Sequence, residues 1–477
     1  MAILGGGITG LAAAHTLVRA ASAPVEVSLF EASDRLGGLL QTERWEDFIL
    51  EGGPDSFLTE KPDAIAFCRE LGLEDAFLGS NDAERRTYIL HRGRLVPIPA
   101  GMGMFDFRRF TSMLISPLFP LGTKLRICRE ALSSHRVDTR TPGGDESVAD
   151  YICRRFGPGM LENFIEPMLA GIYGGEPEKL SARSALSRFH ESEARSARLA
   201  HGKPEMQKET RRPASIFTTL REGMGQLTRA VGRELASAEK SGIFRLHLRQ
   251  KAHLIERLLS ACSNETQRPA YVIHFEGGTH FEADAVILAL STFECAKLLR
   301  PASSRLVDLL SSIPYTSAVT VALCCRTAPP NLPNGFGFLV PRSSGGRLLA
   351  CTFVHNKFDF RAPHGGALLR CFLGGARQPG VEALENHELL AIVLTELRKI
   401  LKLTEEPSFS RVWRWPQAMP QYNVGHADRV REIEQEIGNY PGLFLAGNAW
   451  SGVGISDCIR TAKSAATKVL QMADGSH

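Results

Sequence analysis

No stretch of this 477-residue sequence reaches the roughly 20 apolar residues that a bilayer-spanning helix needs. The nearest approach, FTSMLISPLFPLG at 110–122, is interrupted by Pro117 and Pro120 and is expected to be buried or interfacial. The ten cysteines form no C-x-x-C pair and no metal-like spacing, so a reduced chain without a metal site is expected rather than a disulfide framework. A net charge of +4 with no dense basic block argues against a nucleic-acid partner. No signal peptide is visible, since Met1 runs directly into Ala2-Ile3-Leu4 and then glycines. That opening strand is unusually short, and on the sequence it is open whether the native start lies a few residues upstream of Met1. Internal repeats and long low-complexity tracts are also lacking. What is present is 43% hydrophobic and 23% charged residues, a globular composition with enough apolar material for sizeable cores. The length corresponds to about three domains.

Gly5, Gly7 and Gly10 form G-x-G-x-x-G between a strand and an Ala-rich helix. The first glycine permits a tight turn, the second lets a pyrophosphate approach the backbone, and the third lets helix and strand pack closely. Glu31 ends the second strand, VEVSLFE, where a carboxylate can accept hydrogen bonds from ribose hydroxyls. A second glycine pair, Gly37-Gly38, follows in DRLGG, with Arg35 able to offset phosphate charge. Two backbone segments against one ligand suit a long dinucleotide such as FAD better than a nicotinamide cofactor. Close to the other end, LFLAGNAWSGVGISDCIRTAKSAA at 443–466 reads as strand, glycine loop and helix, another unit that can hold a ligand at a helix N-terminus. Between these ends, residues 62–200 read as mostly helical, 201–214 as a polar loop, and 243–290 as strands with a hairpin turn at Gly277-Gly278. The fold class expected is α/β: a Rossmann-like domain of discontinuous segments, a mixed-sheet substrate domain and a helical insertion.

EASDRLGG at 31–38 resembles the second fingerprint of the amine-oxidase-like FAD superfamily. EGGPDSFLTEKPDA (51–64), VPIPAG (96–101), EPMLAGIYGGEPEKLSARSA (166–185), FTTLREGMGQL (217–227) and MPQYNVGH (419–426) narrow the resemblance. In that order, they are similar to segments of the flavin-dependent protoporphyrinogen IX and coproporphyrinogen III oxidases, bacterial branch. The resemblance implies an oxidase that passes hydride from a porphyrinogen to flavin N5 in three rounds, with molecular oxygen returned as hydrogen peroxide, in haem biosynthesis. It implies that Gly447 and Asn448 lie near the ribityl-phosphate and that Val453, Gly454 and Ile455 lie under the pyrimidine end of the ring, where a helix N-terminus favours negative charge. Asp457 is read either as part of that arrangement or as a simple capping residue.

The chemistry belongs to the cofactor, so no catalytic side chain is singled out, and His426 is read as structural. Asp55 is expected to orient pyrrole NH groups, Lys61 to pair a propionate or to stand exposed at a helix start, and Ile172 with Tyr173 to form an apolar wall. Arginines 188, 195 and 198 are read as a solvated face. Domain edges are expected at 1–54, 212–293 and 426–477 for FAD, 55–91, 186–211 and 294–425 for substrate, and 92–185 for the helical part. The apolar residues and arginines at 105–120 suit contact with a membrane surface, with the protein cytoplasmic and peripheral to the inner face. Monomer and homodimer are both open, as is the choice between the two porphyrinogens. Two other classes remain open on the sequence: an FAD oxidase acting on amines or carotenoid precursors, and a non-catalytic binding protein of the same fold. AGNAWSG offers no cysteine for covalent flavin attachment.

Overall fold

The computed structural model describes residues 1–20, 26–99, 102–103, 106–107, 110–132, 144–186, 215–258 and 271–474. The strands Ala2–Leu4, Val27–Phe30 and Val286–Leu288 are buried at every position, as expected for parallel strands covered on both faces. With Phe244–His247 and Leu443–Leu445 they make a five-stranded sheet in the order 244–247, 27–30, 2–4, 286–288, 443–445. Every neighbouring pair runs parallel. The two ends of the chain therefore share one sheet, and the α/β domain is assembled from discontinuous segments. Helix Ile8–Ala20 packs on Ile455–Asp474 and on Gly225–Lys240. Its Ala12, Ala13 and Ala14 share a core with Ala462, Ala465 and Ala466 of the last helix, where small side chains let the axes approach. A three-stranded antiparallel sheet flanks this domain, its hairpin turned by Gly277 and Gly278 at φ 98° and 86°.

A seven-stranded mixed sheet forms the second layer system, in the order 409–420, 315–325, 367–374, 350–353, 337–339, 87–91, 94–97. Helix Asn386–Leu401 covers it through Leu389, Val393 and Leu397. A third core gathers Leu121–Leu132, Val148–Phe156, the π-helical turn Leu161–Ile165 and Glu166–Tyr173. Among the described residues no helix is long and apolar enough to cross a membrane.

The structure departs from the sequence reading between residues 77 and 97, where the pattern suggests helix. Phe77–Gly79, Thr87–His91 and Arg94–Pro97 are strands. Phe77–Gly79 pairs with Phe217–Leu220, and Thr87–His91 with Gly337–Leu339, so distant partners override the local pattern. Packing also crosses the expected domain edges. Ala64, Phe67 and Cys68 of helix Pro62–Glu70 join the core of the parallel-sheet domain, and Cys295, Leu306 and Leu310 close its other face. The 91/92 edge falls inside the hairpin of Thr87–His91 and Arg94–Pro97. The loop 201–214, the arginines at 188, 195 and 198, and Ala100-Gly101 of the VPIPAG stretch lie outside the described residues.

Candidate functional site

At the carboxyl end of strand Ala2–Leu4 the chain turns at Gly5, whose φ of +106° favours glycine. A Cβ at Gly10 would meet the Gly5 carbonyl oxygen at 1.8 Å, so the third glycine seats the helix on the turn. Gly37 N–H donates to the Gly6 carbonyl (2.8 Å), and Gly7 bridges Gly37, bringing the two glycine segments side by side. Arg35 Nη2 reaches the Gly38 carbonyl at 2.8 Å. Glu31 Oε2 accepts from Gly6 N–H (2.6 Å) and Oε1 from Ser33 N–H (2.8 Å), which fixes the carboxylate at the end of the second strand. Gly5, Gly10, Gly37 and Gly38 serve the turn itself, since an added Cβ at each would press on nearby backbone. Gly7 differs: a Cβ there meets nothing nearer than Gly38 Cα at 4.0 Å.

The C-terminal loop is held by the segment 418–426, which in turn rests on Tyr173 of the GIYGG stretch. Tyr422 OH donates to the Asn448 carbonyl (2.5 Å) and accepts from Gly452 N–H (3.0 Å). Its ring stacks on His426 at 4.1 Å and lies 6.0 Å from the Tyr173 ring, while Gln421 Nε2 donates to the Tyr173 carbonyl (2.8 Å). Asn448 Nδ2 reaches the Ala418 carbonyl at 3.3 Å. The PQYNVGH and GIYGG stretches thus meet the AGNAWSG loop. Ile172 and Tyr173 are half-buried at the rim of the helical core. His426 is 2% exposed, and burial pushes its ring down to about 4, so it is neutral at pH 7 and structural in setting. Gly447 has φ +138° and open space, with Leu290 O the nearest atom to an added Cβ at 3.9 Å. Val453, Gly454 and Ile455 follow at the start of helix Ile455–Asp474.

Asp55 and Lys61 extend from the EGGPDSFLTEK stretch, and both find partners within the protein. Lys61 Nζ lies 2.5 Å from Asp457 Oδ2 in the last helix. Asp55 accepts from Lys357 Nζ at 3.2 Å and lies 3.6 Å from Arg370 Nη1. Burial alone would raise the Asp55 carboxyl, but Lys357, Arg370 and the Ser56 hydroxyl hold it well below the usual carboxylate range. Arg361, 1% exposed, donates to the Arg221 and Leu220 carbonyls and to Thr219 Oγ1. Glu51 accepts from Met224 N–H (2.6 Å) and Thr42 Oγ1 (2.8 Å), so it anchors the start of helix Gly225–Lys240. Asp55, Lys357, Arg370, Arg361 and Glu51 fill the seam between the parallel-sheet domain and the mixed sheet. Sequence reasoning missed Glu51, Lys357, Arg361, Arg370 and the role of Tyr422. Lys357, Arg361 and Arg370 carry no local signal, whereas Glu51 and Tyr422 lie inside the motif stretches 51–64 and 419–426.

A family model described as flavin containing amine oxidoreductase matches residues 8–470. The chain belongs to the flavin containing amine oxidoreductase family. It is 32% identical to a coproporphyrinogen III oxidase of Bacillus subtilis over 98% of this chain and 97% of the relative. It is 30% identical to a chloroplastic protoporphyrinogen oxidase of Oryza sativa over 98% of this chain and 87% of the relative. A crystal structure from Exiguobacterium sp. 255-15, given as a candidate protoporphyrinogen oxidase, superposes with a TM-score of 0.84 at 28% identity, covering 99% and 98% of the two chains. The cofactor of this family is FAD. The residues fit that group on two structural grounds: Gly7 and Gly447 leave space that a Cβ would begin to fill, and the loop 447–454 ends at a helix N-terminus.

Proposed function

We propose that the chain is an oxygen-dependent FAD oxidase of haem biosynthesis that converts coproporphyrinogen III to the porphyrin. The balance is one porphyrinogen and three oxygen molecules giving one porphyrin and three hydrogen peroxides. The observation that carries this reading is convergence. Four stretches far apart in sequence, at 51–61, 172–175, 418–426 and 447–457, contact one another beside the glycine cradle. The full-length bacterial relatives named coproporphyrinogen III oxidase favour that substrate over protoporphyrinogen IX.

In this reading Gly7 meets the pyrophosphate in a cradle shaped by Gly5, Gly10, Gly37 and Gly38, Arg35 offsets its charge, and Glu31 accepts from the ribose. Gly447 lies near the ribityl-phosphate, and Val453, Gly454 and Ile455 lie under the pyrimidine end of the ring. FAD bound there supplies the two-electron acceptor. The remaining work belongs to the chain: Ile172 and Tyr173 give the macrocycle an apolar wall and exclude water. Asp55, kept ionised by Lys357 and Arg370, is an acceptor only, which suits pyrrole N–H donors. The parallel-sheet domain, with helix Pro62–Glu70 and residues 295–310 packed on it, is the FAD-binding part, the seven-stranded mixed sheet the substrate part, and helices Leu121–Leu132, Val148–Phe156 and Glu166–Tyr173 the helical part. The purified protein should be yellow, and its flavin should bleach when coproporphyrinogen III is added without oxygen. Bleaching by protoporphyrinogen IX alone would reassign the substrate, and bleaching by neither would end the reading.

The helical part also presents Ile115, Leu121 and Leu125 at 84%, 79% and 71% exposure, with Arg126 and Arg129 exposed alongside. Met113, Leu118 and Phe119 face inward, so the segment 110–122 supplies both core and apolar surface. Apolar tips edged by cations suit the anionic inner face of a membrane. Flotation with anionic vesicles should recover the protein, and Leu121→Asp with Leu125→Asp should abolish flotation while changing stability by only about 0.5 kcal/mol each. Flotation that survives both changes would refute the contact.

A further inference from the structure

Asp457 sits in the first turn of the last helix with its side chain 7% exposed. Its Oδ2 accepts from Lys61 Nζ at 2.5 Å and from Gly454 N–H at 3.2 Å, and its Oδ1 lies 3.4 Å from Arg460 Nη2. An added Cβ at Gly452 would come within 2.3 Å of the Asp457 Cγ, so the carboxylate fills the space directly under the glycine loop. Lys61 is fixed from its backbone as well, because its carbonyl accepts from Ser456 Oγ at 3.4 Å. The Lys61 side chain is 32% exposed and that of Arg460 44%, so Lys61 is the closer and better shielded cation.

A helix N-terminus carries about half a positive charge, which a carboxylate in its own first turn offsets. Without a counterion, Asp457 would present net negative charge beneath residues 452–455. A ring held there gains negative charge on reduction, so the sign of the charge beneath it sets how readily it is reduced. We infer that Lys61 is the counterion of Asp457, a positioning residue that sets the charge under the flavin ring rather than a ligand for a substrate propionate. This rests on the proposed placement of the flavin along residues 447–455. It also ties the substrate-side stretch 51–64 to the cofactor loop, since one ion pair joins residues 396 apart in sequence.

The test uses purified holoprotein carrying Lys61→Gln, Lys61→Arg, Asp457→Asn and the Lys61→Gln/Asp457→Asn pair. Two readouts are independent of turnover: the flavin midpoint potential, and the dissociation constant for sulfite, which adds to oxidised flavin and leaves negative charge on the ring. Lys61→Gln should lower the potential and weaken sulfite binding roughly tenfold, the size expected when a close partly shielded charge is removed. Lys61→Arg should restore both. Asp457→Asn should shift both in the opposite direction, and in that background Lys61→Gln should have much less effect, because a lysine no longer held by Asp457 turns to solvent, where its charge is screened. An equal effect of Lys61→Gln in both backgrounds would overturn the inference. So would an unchanged potential together with a raised KM for coproporphyrinogen III, which would make Lys61 a propionate ligand. A wild-type chain that binds no flavin overturns the proposed function first, and is recognised by its colour before any variant is made.

Discussion

The glycine cradle and the buried charge seam, which runs through Glu51 and Asp55, are built on opposite principles. The cradle uses small residues and backbone groups, and at Gly7 and Gly447 it leaves space. The seam holds Glu51, Lys357, Arg361 and Arg370, all under 10% exposed, and packs these protein groups around Asp55, the one member proposed to meet substrate. A surface made for a ligand therefore differs from a surface made for protein in what occupies the gap, and substitution should separate the two. A missing partner in the cradle can be supplied by cofactor. A missing partner in the seam cannot be supplied at all.

The largest effect is expected inside the cradle, where two glycines of one motif should fail differently. Gly10→Ala places a methyl 1.8 Å from the Gly5 carbonyl oxygen, so the turn and helix cannot keep their packing, and soluble folded protein should be lost. Gly7→Val should fold and purify colourless, with an apoprotein melting temperature near that of wild-type apoprotein. Flavin retained in full by Gly7→Val would refute the placement of the pyrophosphate. Next in size comes the seam. Asp55→Ala leaves Lys357 and Arg370 buried without their carboxylate, and loss of one member of a buried pair costs about 3–5 kcal/mol. Denaturant unfolding of the apoprotein should show that loss, and a further Lys357→Met change should recover part of it. An Asp55→Ala variant within about 1 kcal/mol of wild type would show that water reaches the seam and screens it.

What can be read from the sequence divides along the same line. The G-x-G-x-x-G turn, Glu31 and Gly37-Gly38 are legible because the ligand needs them within one β-α-β unit, where spacing is fixed by a strand and a helix. The last strand and helix are legible for the same reason: the strand lies one place from the first in the parallel sheet, across 286–288, and the helix packs on Ile8–Ala20. The seam is not legible. Asp55 and Lys357 are separated by 302 residues, and neither position differs locally from a surface charge. Lys61 shows how a correct local reading can still miss the contact. Pro62 does open a helix, as its position after Lys61 suggests, yet the lysine side chain turns toward Asp457. The strands at 77–97 fail in the opposite way, because their local pattern says nothing of the distant strands they pair with.

The last expected effect is a pH dependence carried by one carboxyl of the seam. Burial pushes the Glu51 carboxyl up from 4.5 to about 7, against the pull of Met224 N–H, the Thr42 hydroxyl and the nearby Arg361 and Arg370. An acid whose pKa is higher folded than unfolded takes up a proton on folding between the two values. Its contribution to stability is therefore full below the unfolded value and declines as pH rises through 7. The total is about 3 kcal/mol, because each tenfold gain in proton affinity on folding is worth about 1.4 kcal/mol. Glu51→Gln stays neutral at every pH and keeps an acceptor for Met224 N–H. In urea unfolding of the apoprotein, wild type should lose stability between pH 5 and pH 8 relative to the Gln variant, by an amount approaching that total. Parallel curves for the two proteins would mean that Arg361 and Arg370 keep Glu51 ionised, and the seam would then carry two permanent carboxylates against its three cations. The same pair of curves recorded for Gly7→Val should show the wild-type slope, since nothing in the cradle is asked to titrate.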